Sequence, residues 1–301
     1  MTTSLLPTEA DVAAAAARIA PHVRHTPVLD VTIDGRPVVL KLEHLQQTGS
    51  FKLRGALNAL LTGPVPEQVV TASGGNHGLA VAAAARLLGL PAVVYVPESV
   101  PEAKARRIEA QGARLVRHGV RYSDAAEAAK AVAAAPGTRY LPAYDDPAVV
   151  AGQGTVAAEI VAARPDVDAL VIAVGGGGLA GGAAVGGRGV PIVAVEPERC
   201  CCLHAAIAAG EPVDVEIDSV AASALGATRV GAIPFELLKT VRSVLVGDDD
   251  LLAARDLLWE DYRLAVEPAA AATLVALRNG DVPGERPCLV LCGANTDWTP
   301  S

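Results

Sequence analysis

Short apolar runs rich in Val, Ile and Leu alternate along the chain with alanine-rich helical stretches, and this alternation restricts the fold more than any other feature. The runs are Val38 to Leu42, Val69 to Thr71, Ala92 to Val96, Arg114 to Val116, Ala169 to Val174, Ile192 to Val195, Val241 to Val246 and Cys288 to Leu291. Strand and helix in alternation build βαβ units, so the pattern predicts two open-sheet α/β lobes with mainly parallel strands covered by helices. Strands this apolar are covered on both faces. With two Phe and two Trp in 301 residues, the cores must be built from Ala, Val and Leu. Pro64 and Pro66 break a helix that begins near Phe51, and Gly152 to Gly154 separates two later helical stretches. The chain is expected to cross between lobes near both places. That gives a large lobe of residues 1–63 and 153–301, with a small lobe of residues 64–152 inserted in it.

The formal net charge of −8 repels nucleic acid and anionic membranes, and no basic stripe with interleaved aromatics offsets it. Arg, Glu or Lys breaks every alanine stretch, so none reads as a bilayer span. The start lacks the basic and then apolar pattern of a secretory signal, while Thr8 to Asp11 has capping-box spacing ahead of an alanine-rich helix. A cytoplasmic protein with no nucleic-acid and no membrane partner is expected. Cys200, Cys201, Cys202, Cys288 and Cys292 have no CxxC spacing to grip zinc and are odd in number, which predicts reduced thiols. With the chain ending at Ser301, no appended regulatory domain and no feedback inhibition are expected.

Three local groups carry chemistry. Gly49 to Gly55, GSFKLRG, follows a strand and opens a helix, which puts Lys52 where free N–H groups and the helix dipole disfavour an ammonium. An amine held there tends toward its neutral, nucleophilic form. Position alone leaves two readings, a functional amine or a solvated first-turn lysine paired with a neighbour. Ser73 to Gly78, SGGNHG, is a small-residue turn into a helix, suited to a carboxylate or phosphate, with Asn76 adding an amide. It also reads as a tight strand-to-helix connection. Gly175 to Gly178, with Gly181 and Gly182, follows the strand Ala169 to Val174, and four glycines in a row can wrap their N–H groups round a phosphate. Gly176, Gly178 and Gly181 also fit GxGxxG, with Glu196 about 20 residues on, the fingerprint of an NAD-dependent oxidoreductase. A phosphorylated aldehyde uses all three groups, whereas a nicotinamide leaves the lysine and SGGNHG without a role.

These residues resemble the pyridoxal-phosphate fold-type II enzymes, the tryptophan synthase β-like family, and within it the serine/threonine dehydratase and serine racemase branch. The resemblance runs through LEHLQQTGSFKLRGALNAL, SGGNHG, AVVAGQGT after Pro147, VGGGGLAGG, VAVEPE, AVEPAAA near Glu267 and LCGANTD, in that order. It implies that pyridoxal 5'-phosphate is the cofactor and that Lys52 both carries it and takes the Cα proton. Phe51 would flank the ring and Asn76 would bond its hydroxyl. Gly175, Gly176, Gly177, Gly178 and Leu179 would hold the phosphate, and Cys292 would face the pyridine nitrogen. Ser73, Gly75, Asn76 and His77 would receive the substrate carboxylate. The large lobe would bind the cofactor and the small lobe would supply the substrate loop.

The implied reaction is a serine/threonine dehydratase (ammonia-lyase) reaction on a small-molecule amino acid, in a homodimer. Serine or hydroxyaspartate racemisation and cysteine synthase-like β-replacement use the same cofactor. Racemases of this branch carry a second serine where this chain has Gly74, so racemisation should be slow. The branch's divalent-cation site pairs a residue matching Glu196 with an acid where this chain has Cys202. A thiol is a poor ligand for magnesium or calcium, so no metal is expected. Where many relatives carry an acid followed by glycine, this chain has Ala222 and Ser223 in SVAASALGATRVG, which leaves substrate identity open.

Overall fold

The structure is a computed structural model that describes residues 6–299. Its strands are β1 (Val28–Ile33), β2 (Arg36–Lys41), β3 (Gln68–Ala72), β4 (Ala92–Val96), β5 (Arg114–Arg117), β6 (Thr138–Tyr140), β7 (Ala169–Ala173), β8 (Ile192–Pro197), β9 (Arg242–Val246) and β10 (Pro287–Val290). They form a six-stranded sheet in the order β1-β2-β10-β7-β8-β9 and a four-stranded sheet in the order β5-β4-β3-β6. Every pairing is parallel except β1 with β2. The fold is therefore α/β, with parallel sheets flanked by helices. In β7 and β4 every residue is buried, as central strands covered on both faces require.

The strand β1 was not among the expected runs. Its sequence VLDVTI mixes polar and apolar residues because it is an edge strand with one partner. The signal for it is the two-residue turn Asp34-Gly35, with φ of 50° and 81°, which closes the hairpin onto β2. Positive φ at both turn positions is what Asp-Gly supplies in such hairpins. The expected break at Gly152 to Gly154 is overturned, because one helix runs unbroken over Pro147–Ala163. Here the glycines serve close packing. A Cβ on Gly152 would lie 2.7 Å from the Arg54 carbonyl, and one on Gly154 would lie 2.7 Å from that of Gly182. The Lys52–Leu61 and Gly178–Gly186 helices thus press their backbones against the Pro147–Ala163 helix.

One sheet takes β3 to β6, and the other takes the strands before and after them. We propose on that basis the lobe division of 1–63 with 153–301 against 64–152, its second boundary falling within the Pro147–Ala163 helix.

Gly182 tests the packing. An added Cβ would sit 2.4 Å from the Val150 carbonyl oxygen and 2.5 Å from the Gly154 nitrogen, both of them backbone atoms with little freedom to move. Gly182→Ala is expected to lower stability by about 2 kcal/mol through overpacking, read as a fall in the urea midpoint at unchanged slope.

Candidate active site

The segment leaving β2 carries Lys52 to its place. A turn with positive φ at Thr48 and Gly49 leads to Ser50, which bridges to Gly293, and the Phe51 N–H donates to the Cys292 carbonyl at 3.1 Å. The helix Lys52–Leu61 starts there, so the lysine is stitched beside the strand end that carries Cys292. Lys52 Nζ donates to the Ala143 carbonyl at 3.0 Å and lies 5.1 Å from the centre of the Phe51 ring. Burial pulls its pKa down to about 8, against the upward pull of Cys292 and Glu267. Desolvation is thus the larger cause of the shift, rather than the helix start that sequence position suggested.

Beyond the end of β7 the chain turns through Gly175 to Gly178. Among the described residues no protein acceptor meets the N–H groups of Gly175, Gly176, Gly177, Gly178 or Leu179. The turn needs its glycines. Gly177 has φ of 89°, and a Cβ on Gly176 would lie 2.2 Å from the Tyr144 ring. Tyr144 is itself held by its hydroxyl, which donates to the Arg229 carbonyl at 3.2 Å. Lys52 and this turn face one cavity of about 440 Å³, shared with Phe51, Asn76, Glu267 and Cys292. The oxidoreductase fingerprint fails at its acid. The Glu196 carboxylate accepts the N–H groups of Leu203 at 2.9 Å and His204 at 2.7 Å, which commits it to the start of the Cys202–Ala209 helix and away from any ribose.

Two residues that hold Asn76, Glu267 in the cavity wall and Asn295 beside it, were not foreseen as site residues. Asn76 Nδ2 donates to both Glu267 oxygens, at 2.9 and 3.2 Å, while Asn295 Nδ2 donates to Asn76 Oδ1 at 2.7 Å and to the Thr48 carbonyl at 2.8 Å. The Asn76 amide is thus oriented by its neighbours on both sides. Burial lifts the Glu267 carboxyl to about 7, with the Asn76 bond pulling the other way. Burial and then the Glu267 charge push the Cys292 thiol far up, so it stays protonated. A lone acid in the apolar stretch AVEPAAA was the available signal for Glu267, because a buried carboxylate needs a partner.

The loop Ser73 to Gly78 opens on a second, outer pocket of about 330 Å³, where Gly74, Gly75 and Asn76 face Lys104, Arg107 and Ser223. Two of the residues expected there turn their side chains elsewhere. Ser73 Oγ accepts from the Gly75 N–H at 3.2 Å, and His77 Nε2 donates to the Leu141 carbonyl at 3.0 Å. His77 is buried, and burial followed by the Lys52 charge lowers its pKa to about 3, so it stays neutral. Gly78 must be glycine, since a Cβ would meet the Ser73 carbonyl oxygen at 1.9 Å.

Comparison with known proteins gives one family. The sequence pattern described as "Pyridoxal-phosphate dependent enzyme" matches residues 19–293. The chain is 36% identical over 275 residues to L-threonine ammonia-lyase of Geobacter sulfurreducens, covering 87% of this chain and 68% of that protein. It is 32% identical over 308 residues to L-threo-3-hydroxyaspartate ammonia-lyase of Saccharomyces cerevisiae, covering 97% of this chain and 94% of that protein. A solved structure of threonine deaminase from T.th. superposes with a TM-score of 0.92 at 34% identity, covering 98% of this chain and 100% of that one.

The depressed Lys52 pKa is open to direct measurement. In the ligand-free protein, trace acetylation followed by peptide mapping should show Lys52 becoming reactive with a midpoint near pH 8. Surface lysines should follow only above pH about 10. A Lys52 midpoint above pH about 10 would contradict a desolvated amine.

Proposed function

The chain belongs to the pyridoxal-phosphate dependent enzymes, and from that premise we propose that it removes water and ammonia from a β-hydroxy amino acid to leave a 2-oxo acid. One observation carries the reading: a desolvated amine and a run of unpartnered backbone N–H groups face the same cavity. Pyridoxal phosphate suits both ends of it. Its aldehyde matches the Lys52 amine, and its phosphate matches the N–H groups of Gly175 to Leu179 at the start of the Gly178–Gly186 helix, whose dipole favours an anion. Phe51, Asn76 and Cys292 stand between these ends as the walls for a ring.

When bound, the cofactor withdraws electrons from the substrate carbon next to the amine. The protein residues do the rest. Lys52 Nζ, whose pKa burial lowers to about 8 so that part of it is uncharged near neutral pH, is the base that takes the Cα proton. Asn76, at the start of the Asn76–Leu88 helix, receives the substrate carboxylate on its backbone N–H, on a loop that Ser73 Oγ braces through the Gly75 N–H. Cys292 holds its proton and offers no anion, while Glu267 keeps the Asn76 amide aimed. Gly74 carries no side chain that could return a proton from the other side, which favours elimination over racemisation. Release of 2-oxo acid without added thiol separates this reading from β-replacement. A cytoplasmic homodimer completes the proposal. No helix among the described residues is long and apolar enough to cross a membrane.

The outer pocket favours a second reading of the substrate. Lys104 and Arg107 both line it; Arg107 pairs with Asp297 at 3.1 Å, and Lys104 has no ion-pair partner among the described residues. Lys104 is near enough to Glu267 to lower its pKa. A β-hydroxy amino acid with a second carboxylate, as in 3-hydroxyaspartate, fits that excess of positive charge.

Purified protein with pyridoxal phosphate should absorb in the visible and release 2-oxo acid from serine, threonine or 3-hydroxyaspartate. Lys52→Ala should lose the absorbance and at least about 10³-fold in kcat, as expected on removing a general base. Lys104→Met should lower kcat/KM for 3-hydroxyaspartate about tenfold more than for threonine; equal losses on both would refute the dicarboxylate reading.

A further inference from the structure

Three consecutive cysteines, Cys200, Cys201 and Cys202, lie next to the glycine turn, and the reaction described above leaves them unused. Cys200 and Cys202 are fully buried, while Cys201 is partly exposed. Their positions follow from β8. At its end the Glu196 carboxylate takes the Leu203 and His204 N–H groups, which pins the start of the Cys202–Ala209 helix and with it the Cys202 side chain. The Cys202 thiol then donates to the Gly175 carbonyl at 3.3 Å, and the Cys200 thiol donates to the Leu225 carbonyl at 3.0 Å. These two carbonyls belong to touching stretches of chain, since a Cβ on Gly175 would lie 2.9 Å from Leu225 Cα. Both residues line the cavity that holds Lys52.

The peptide joining Gly175 to Gly176 is planar and trans, so its C=O and N–H point in opposite directions. Holding the Gly175 oxygen toward Cys202 therefore aims the Gly176 N–H away from the cysteines. That N–H is one of the donors without a protein acceptor. Among the described residues no backbone N–H reaches the Gly175 carbonyl, which leaves the thiol as its donor. Burial and the neighbouring Glu196 charge keep the thiol protonated, and only the protonated form can donate to a carbonyl.

We propose that Cys202, seconded by Cys200, is a positioning residue that orients the Gly175–Gly176 peptide so that the turn receives the phosphate of pyridoxal phosphate. The inference rests on the proposed function in taking that phosphate as the anion of the turn. It adds a specific prediction: the thiol affects affinity for the phosphate group and leaves affinity for the ring unchanged.

The test compares pyridoxal phosphate with phosphate-free pyridoxal, each titrated into full-length apoprotein of wild type, Cys202→Ala and Cys202→Ser, with fluorescence as the readout. Leaving the part-buried Gly175 carbonyl without its thiol donor should weaken pyridoxal phosphate binding to Cys202→Ala about tenfold. Pyridoxal binding should stay within about threefold, and serine, which keeps a donor, should restore pyridoxal phosphate to within about threefold of wild type. Equal losses for both ligands, no loss in the alanine variant, or a serine variant as weak as the alanine one would each overturn the positioning role. Should Cys202→Ala not fold, wild type answers through mapped iodoacetamide labelling of Cys202. Pyridoxal phosphate should slow that labelling about tenfold and pyridoxal should not, whereas equal protection by the two overturns the role. Wild type that binds no pyridoxal phosphate sinks the proposed function itself. Wild type that binds it, beside an alanine variant that binds equally well, sinks only the role of the thiol.

Discussion

The site depends on one buried guanidinium. Arg54 is fully buried and forks onto Glu43 at 2.7 and 2.9 Å and onto Glu159 at 2.6 and 2.9 Å. Lys41 joins Glu159 at 2.6 Å, so two cations and two carboxylates balance, all of them buried except the part-buried Glu159. Charges removed from water are tolerable only when matched in this way, and the matching fixes where their elements sit. Lys52 and Arg54 are two positions apart on one helix, about 200° around its axis. One therefore looks into the cavity while the other is anchored among β2, the turn after it and the Pro147–Ala163 helix. The reactive amine is placed from behind.

The cavity is electrically consistent with that anchor. Burial costs the lysine part of its charge, the glycine turn presents only partial positive charge from backbone N–H groups, and Cys292 stays neutral. Among the described residues Glu267 is the single carboxylate in the wall, and its raised pKa weakens its negative charge near neutral pH. An anionic cofactor and an amino-acid carboxylate can therefore enter a space that repels neither.

Much of this was legible in the sequence wherever one residue type carries one physical meaning. A wholly buried parallel strand such as β7 reads as an unbroken apolar run, and the four glycines after it mark a turn whose N–H groups meet no protein acceptor among the described residues. The edge strand β1 did not read as a strand because an exposed face dilutes its apolar pattern, although Asp34-Gly35 marked its turn. Gly152 and Gly154 were misread as a break because sequence shows the missing side chain and hides the backbone pressed into the gap. Glu267 and Asn295 were overlooked for a related reason. Their part depends on Asn76, which lies 191 and 219 positions away and reaches them only through the fold.

The proposed phosphate cradle, made from main-chain amides, has a genetic consequence. Its donors are encoded by no particular side chain, so an ordinary missense change cannot delete them. Such a change can only crowd or tilt the peptide units, and proline alone removes an N–H outright. The vulnerability therefore extends to whatever the turn leans on: Tyr144 packed over Gly176, Leu225 against Gly175 and Pro234 against Gly177. Inherited variation in anion affinity is expected to arise at these outer residues as readily as at the glycines, although none of the outer side chains supplies a donor.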